Sequence, residues 1–307
     1  MQSRSKSIRC LALLLLPGCA SREPVVVTEP PLPAPRAERL VDVGASSLHH
    51  HCVGEGSPVA VFDAGLGDDG SVWSRVQPGV GRFTKACVYD RAGRGQSTPP
   101  RARSNREMAR QLHVLLMEAG ISGPYVLVGH SMGGVNVRLF ESEHRQEVVG
   151  MVLVDAVSDD QPERYWSLVP PERMIELRHG MRRMGELDFE AFVAGIEDMR
   201  VSSRSLGNKP LVVMTRGKEP APPWASRELS ARMLRRWQEL QTGLVELSTN
   251  SVYVIARNSG HYIQHDAPPL VVAAVRAAVQ AARSRTTIDA RELTRLAGAD
   301  PAAKSED

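Results

Sequence analysis

Gly129-His130-Ser131-Met132-Gly133 is the stretch whose residue types and spacing could do chemistry. It follows the apolar run Tyr125-Val126-Leu127-Val128 and leads into Gly134-Val135-Asn136-Val137-Arg138-Leu139-Phe140, which has a helical pattern. A serine between two glycines at a strand-to-helix junction predicts a sharp, strained turn that exposes the serine Oγ above a sheet. Side chains two residues either side of that serine would collide with neighbouring backbone, and glycine at 129 and 133 removes those Cβ atoms. The helix N-terminus beyond the turn favours developing negative charge, so the chemistry on offer is nucleophilic attack by Ser131. The five-residue pattern is short, and its weight comes from the strand before it and the helix after it.

The elements that must position Ser131 start well inside the chain. Arg4, Lys6 and Arg9 form a basic region, Leu11 to Leu16 is almost wholly apolar, and Leu16-Pro17-Gly18-Cys19 closes it. This predicts a signal peptide over 1–18 of the lipoprotein type, cleaved before Cys19 with lipid on its thiol. The apolar run is too short for a membrane-spanning helix, which needs roughly twenty such residues. The formal charge of +3 resides in those three basic residues, so the rest is formally neutral. With no basic stripe bearing interleaved aromatics, nucleic acid is not expected as a partner. Ala20 and Ser21 after the anchor point to the outer membrane and its periplasmic side, where the cell has one.

Residues 19–38 are rich in proline and read as an extended tether. Strands are expected at Leu40-Val43, Leu48-Val53, Val59-Asp63, Ala86-Tyr89, the run before Ser131, Met151-Val154, Leu211-Met214 and Val252-Ile255. Helical spacing covers about 104–119 and 269–283. Alternation of strand and helix predicts an α/β fold with a doubly wound, mostly parallel sheet. Its core spans 39–157 and 208–284, with a charged, Met-rich helical lid inserted over 158–207 and a polar tail over 285–307. No metal site or cofactor is expected: there is no C-x-x-C, and no G-x-G-x-x-G opens a helix after the first strand. His49-His50-His51 alternate across a strand, so 49 and 51 face one side and 50 the other.

Over residues 40–284 the chain resembles the α/β-hydrolase fold family. Ala64-Gly65-Leu66-Gly67 is similar to its oxyanion loop, Asp90-Arg91-Ala92-Gly93-Arg94-Gly95-Gln96-Ser97 to its D-R-x-G-x-G-x-S turn, and Ser259-Gly260-His261 to its catalytic histidine loop. The resemblance implies Ser131 as nucleophile, His261 as the base that takes and later delivers its proton, and backbone N–H groups of Leu66 and Met132 as oxyanion donors. The acid is Asp155 if it follows the strand after the elbow helix. The alternative is Glu219, where Thr215-Arg216-Gly217-Lys218-Glu219 departs from the family's G-x-x-D pattern. His265 reads as structural, and Asp90 with Arg91 as a pair bracing the turn rather than a substrate clamp. The family's strand order sets the second strand antiparallel beside the fourth, which implies a Cys52–Cys87 disulfide.

The function implied is a serine hydrolase (a carboxylesterase) acting on a small-molecule acyl substrate through an acyl-enzyme. Serine at 131 argues against the family's dehalogenases and epoxide hydrolases, which use aspartate there. An acyltransferase, a thioester, lactone or amide hydrolase on the same triad, or a non-catalytic ligand-binding lipoprotein are the alternatives. Trp166, Met174, Met181, Met184, Phe189 and Phe192 either wall the site or pack the lid onto its domain. The oligomeric state is not legible.

Overall fold

The structure, a computed structural model, describes residues 39–203, 205–218 and 223–298. The signal segment, the lipidation site Cys19, the tether and Glu219 lie outside the described residues. Eight apolar runs become eight strands: β1 (Arg39–Asp42), β2 (Ser47–Val53), β3 (Val59–Asp63), β4 (Ala86–Tyr89), β5 (Tyr125–His130), β6 (Val148–Val154), β7 (Leu211–Arg216) and β8 (Ser251–Ala256). They form one sheet in the order β1-β2-β4-β3-β5-β6-β7-β8. Only β2 runs against its neighbours, and β4 through β8 pair in parallel.

The helices are α1 (Gln77–Gly81), α2 (Asn105–Glu118), α3 (Gly133–Glu143), α4 (Gln161–Arg164), α5 (Pro171–Met184), α6 (Phe189–Ser202), α7 (Arg227–Leu244), α8 (Ile263–Asp266), α9 (Pro268–Ser284) and α10 (Arg291–Leu296). Central strands are apolar on both sides because helices cover both faces. Val61, Leu127, Leu153 and Val213 point toward α2, α3 and α7, while Phe62, Val128, Val152 and Met214 point toward α1 and α9. Ser104 caps α2 by accepting the Glu107 N–H at 3.1 Å. Among the described residues no helix is long and apolar enough to cross a membrane.

Cys52 and Cys87 are directly opposed in the β2–β4 ladder and are disulfide-bonded. The three neighbouring histidines diverge: His49 Nδ1 meets Asp90, His50 Nδ1 the Arg39 carbonyl, and His51 Nδ1 the Gln77 side chain.

Between β6 and β7 the chain forms α4, α5 and α6. α6 lies on α2 and α3, and Arg106 of α2 pairs with Asp198 at 2.9 Å. Trp166 packs at 5.0 Å from Phe189 and 6.1 Å from Phe192, and all three rings are buried with Met181. These side chains pack the helices of the insert against one another, in the same buried cluster as residues of α2, α3 and the sheet. Met184 remains 40% exposed, with its sulfur lying over Gly67. Helix α7 has no counterpart in the sequence reading. Its buried Met233, Trp237, Leu240 and Leu244 keep helical spacing, but the arginines between them dilute the apolar signal.

Candidate active site

Ser131 sits between β5 and α3 with φ +52°, a left-handed conformation that a non-glycine residue holds only when its surroundings impose it. A Cβ at Gly129 would lie 2.7 Å from the Gly133 carbonyl oxygen, and one at Gly133 would lie 2.4 Å from that of Asp63. The two glycines let the elbow close and let the start of α3 press on the end of β3. The Ser131 N–H donates to Val154 at 3.2 Å, and its carbonyl accepts from Gly134 and Val157, so the elbow is tied to the end of β6.

Asp155 follows β6, is fully buried and also has a left-handed backbone, φ +45°. Oδ2 accepts from His261 Nδ1 at 2.6 Å and from an Arg216 guanidinium nitrogen at 2.7 Å. Oδ1 accepts from Trp237 Nε1 at 2.6 Å, the Arg216 N–H at 2.9 Å and the Thr215 hydroxyl at 3.3 Å. Burial alone would raise this carboxyl, but Arg216 and the His261 hydrogen bond hold it well below the usual range. An ionised carboxylate only accepts, so Nδ1 of His261 carries the hydrogen and Nε2 is left as an acceptor. Arg216 is itself stacked 4.1 Å over Trp237.

His130, next to Ser131, is fully buried and packs 4.6 Å from the His261 ring. Burial, and then His261, push its pKa far down, so it is neutral. Its Nε2–H lies 3.1 Å from the His261 carbonyl oxygen and fastens the histidine loop to the elbow strand. His265 does not join this group; Nε2 meets the Val72 carbonyl at 3.2 Å.

The loop after β3 lies against the elbow, since a Cβ at Gly65 would lie 2.9 Å from His130 Nδ1. Among the described residues the N–H groups of Leu66 and Met132 have no protein acceptor. Asp90 and Arg91 do not pair with each other, because consecutive side chains at a strand end point to opposite sides. Asp90 accepts from the N–H groups of Gly70 and Gln96, bracing the turn. Arg91 turns inward to Asp63 and the loop carbonyls.

The structure thus brings Asp155 and His261 into contact beside the Ser131 elbow. Sequence reasoning missed His130, Arg216 and Trp237; only His130 had a visible signal, its adjacency to the serine. One cluster resembles a metal-ligand set, since His113, His144 and Glu147 bring ligand atoms within 4.8 Å. The two imidazoles are stacked 3.5 Å apart at 7°, so their lone pairs run side by side instead of converging on an ion. We read it as a clasp between α2 and the end of α3, with His113 Nε2 and Glu147 at 3.1 Å.

Known proteins share this architecture. The uncharacterized protein YqjL of Bacillus subtilis (strain 168) is 29% identical over 240 residues, covering 78% of this chain and 90% of YqjL. A thermophilic esterase from Thermogutta terrifontis superposes with a TM-score of 0.55 at 20% identity, over 77% of this chain and 94% of that one. The epoxide hydrolase CorEH does so with a TM-score of 0.52 at 15% identity, over 77% and 95%. At such identities the solved structures speak for the fold. The profile of the alpha/beta hydrolase family matches residues 60–275, well over half the chain, and the chain belongs to that family.

Proposed function

We propose that this chain is an exported serine hydrolase that cleaves a carboxylic ester through an acyl-enzyme on Ser131. The observation that carries the reading is the 2.6 Å contact between His261 Nδ1 and the buried Asp155 carboxylate, beside the strained elbow that bears Ser131. In this reading His261 Nε2 takes the Ser131 proton as Oγ attacks the ester carbonyl. The oxyanion is met by the N–H groups of Leu66 and Met132, each worth roughly 10²–10³ in rate. Collapse expels the alcohol, which takes the proton from His261. Water then attacks the acyl-enzyme by the same route, and the carboxylic acid leaves. A serine at 131 favours this over the epoxide opening that CorEH's name describes, given the aspartate such enzymes use there.

Export and a lipid anchor at Cys19 belong to the same proposal. Supporting it are the basic-then-apolar N-terminus and the Cys52–Cys87 disulfide, which persists in an oxidising compartment. Membrane fractionation of wild type and Cys19→Ser tests the anchor: wild type is expected in the membrane and the variant released, and equal partitioning overturns it.

The activity is tested with p-nitrophenyl esters of increasing acyl length, wild type against Ser131→Ala. Turnover by wild type that vanishes in Ser131→Ala supports the reading. Turnover that survives the substitution, or a folded wild type inert across the series, contradicts it. Added alcohols then distinguish hydrolysis from acyl transfer by the product formed.

A further inference from the structure

The turn between α5 and α6 places a carboxylate beneath the Gly65-Leu66-Gly67 loop. Glu186 follows Gly185 at that turn, and its side chain is 1% exposed. One carboxylate oxygen accepts from Arg91 Nε at 2.5 Å. The other accepts from the Gly67 N–H at 2.7 Å and a terminal Arg91 nitrogen at 3.2 Å. The same guanidinium donates to Asp63 at 2.7 Å, the Ala64 carbonyl at 2.8 Å and the Gly65 carbonyl at 2.5 Å. Every backbone group so engaged belongs to the loop that carries the Leu66 N–H.

Peptide geometry turns this into an orientation. In a trans peptide the carbonyl of one residue and the N–H of the next point in opposite directions. With the Gly65 carbonyl on Arg91, the Leu66 N–H must point away from Arg91. The start of α3 lies against this same backbone, because a Cβ at Gly133 would lie 2.7 Å from the Ala64 carbonyl oxygen. The Leu66 N–H and that of Met132 therefore belong to neighbouring segments.

We infer that Glu186 is a positioning residue for the oxyanion loop, so that seating of the helical insert sets the geometry of the Leu66 donor. Glu186 does not touch substrate; it acts through Arg91 and Gly67. The insert is fastened at this turn by two further arginines of the segment before α2, since Arg94 reaches the Met184 carbonyl and Arg101 that of Gly185. Lifting the turn would strip Arg91 of a buried anion and Gly67 of its acceptor in one movement. The contact stands on geometry alone, while its effect on rate rests on the proposed ester hydrolysis.

Two readouts separate these. Hydrogen exchange over residues 64–68 compares wild type with Glu186→Gln and Glu186→Ala, and kinetics follow kcat, KM and the affinity of a trifluoromethyl ketone, which forms an oxyanion on a serine. Glu186→Ala is expected to speed exchange at Gly67. It should lower kcat by about 10²-fold, the scale of one lost donor, with KM little changed and the ketone weakened in proportion. Glu186→Gln keeps an oxygen for Gly67 and should fall between alanine and wild type, and it carries the test if the alanine variant does not fold. Unchanged exchange at 64–68 overturns the positioning role. Faster exchange with unchanged kcat and ketone affinity in a wild type that turns over ester overturns the link to catalysis. Faster exchange in a chain whose wild type is inert toward esters overturns the proposed function and leaves the positioning role intact.

Discussion

Asp155 shows how a single side chain is tuned for an orienting role. Its Oδ2 is shared by His261 and Arg216, and its Oδ1 is saturated by Trp237, Thr215 and the Arg216 backbone. An ionised carboxylate so held fixes the imidazole tautomer and, in the proposed mechanism, would steady the imidazolium formed during attack. Asp155→Asn offers the wrong hydrogen-bonding atom to one of its donors and is expected to lower kcat by about 10⁴-fold in folded protein. Near-normal turnover in that variant would transfer the acid's role to Glu219. Trp237→Phe removes one neutral donor and should cost about 1 kcal/mol of stability, read as a fall in the urea midpoint. An unchanged midpoint would mean that another group takes the indole's place.

Strands and helices divide the work of placing these residues. β5, β6 and β8 end on the same side of the sheet, and the loops beyond them carry Ser131, Asp155 and His261. β2 runs against β4 and is clamped to it by the Cys52–Cys87 bridge, which closes a loop of 35 residues. Reduction, or Cys52→Ala with Cys87→Ala, should lower stability by about 2–4 kcal/mol while leaving ester turnover intact below the melting transition, since the hydrogen bonds that hold Asp155, His261 and the elbow involve neither cysteine. A thermal scan with and without reductant checks this, and coincident transitions would contradict it. The strands were legible because fully buried parallel strands are apolar throughout, and the elbow because its glycines are sterically required. Helix α7 was obscured by Arg232, Arg235 and Arg236 on its outer face. Glu186 bore no local mark at all: its burial is decided by Arg91, 95 residues away, and a glutamate in a charged stretch looks like a solvated one.

The described residues form a three-layer domain whose buried charges link its parts. Burial would raise Glu186, yet Arg91 beside it holds the carboxyl below its ordinary value of 4.5. A depressed carboxyl contributes stability that is fully present above its unfolded value and lost as pH falls through the folded one. The difference in melting temperature between wild type and Glu186→Gln should thus be complete above about pH 4.5 and shrink below it. Asp63, raised by burial against the pull of Arg91, works in the opposite sense but is common to both proteins. A difference that stays constant from neutral to acid pH would contradict the Arg91–Glu186 linkage. The central claim, that Ser131 is an activated nucleophile served by His261 and Asp155, is met most directly by covalent trapping. The protein is treated with a fluorophosphonate, digested and mapped by mass spectrometry, with Ser131→Ala and Asp155→Asn alongside. One adduct is expected on the peptide containing Ser131, absent from Ser131→Ala and formed far more slowly in Asp155→Asn. An adduct elsewhere, or none in folded wild type, would contradict it.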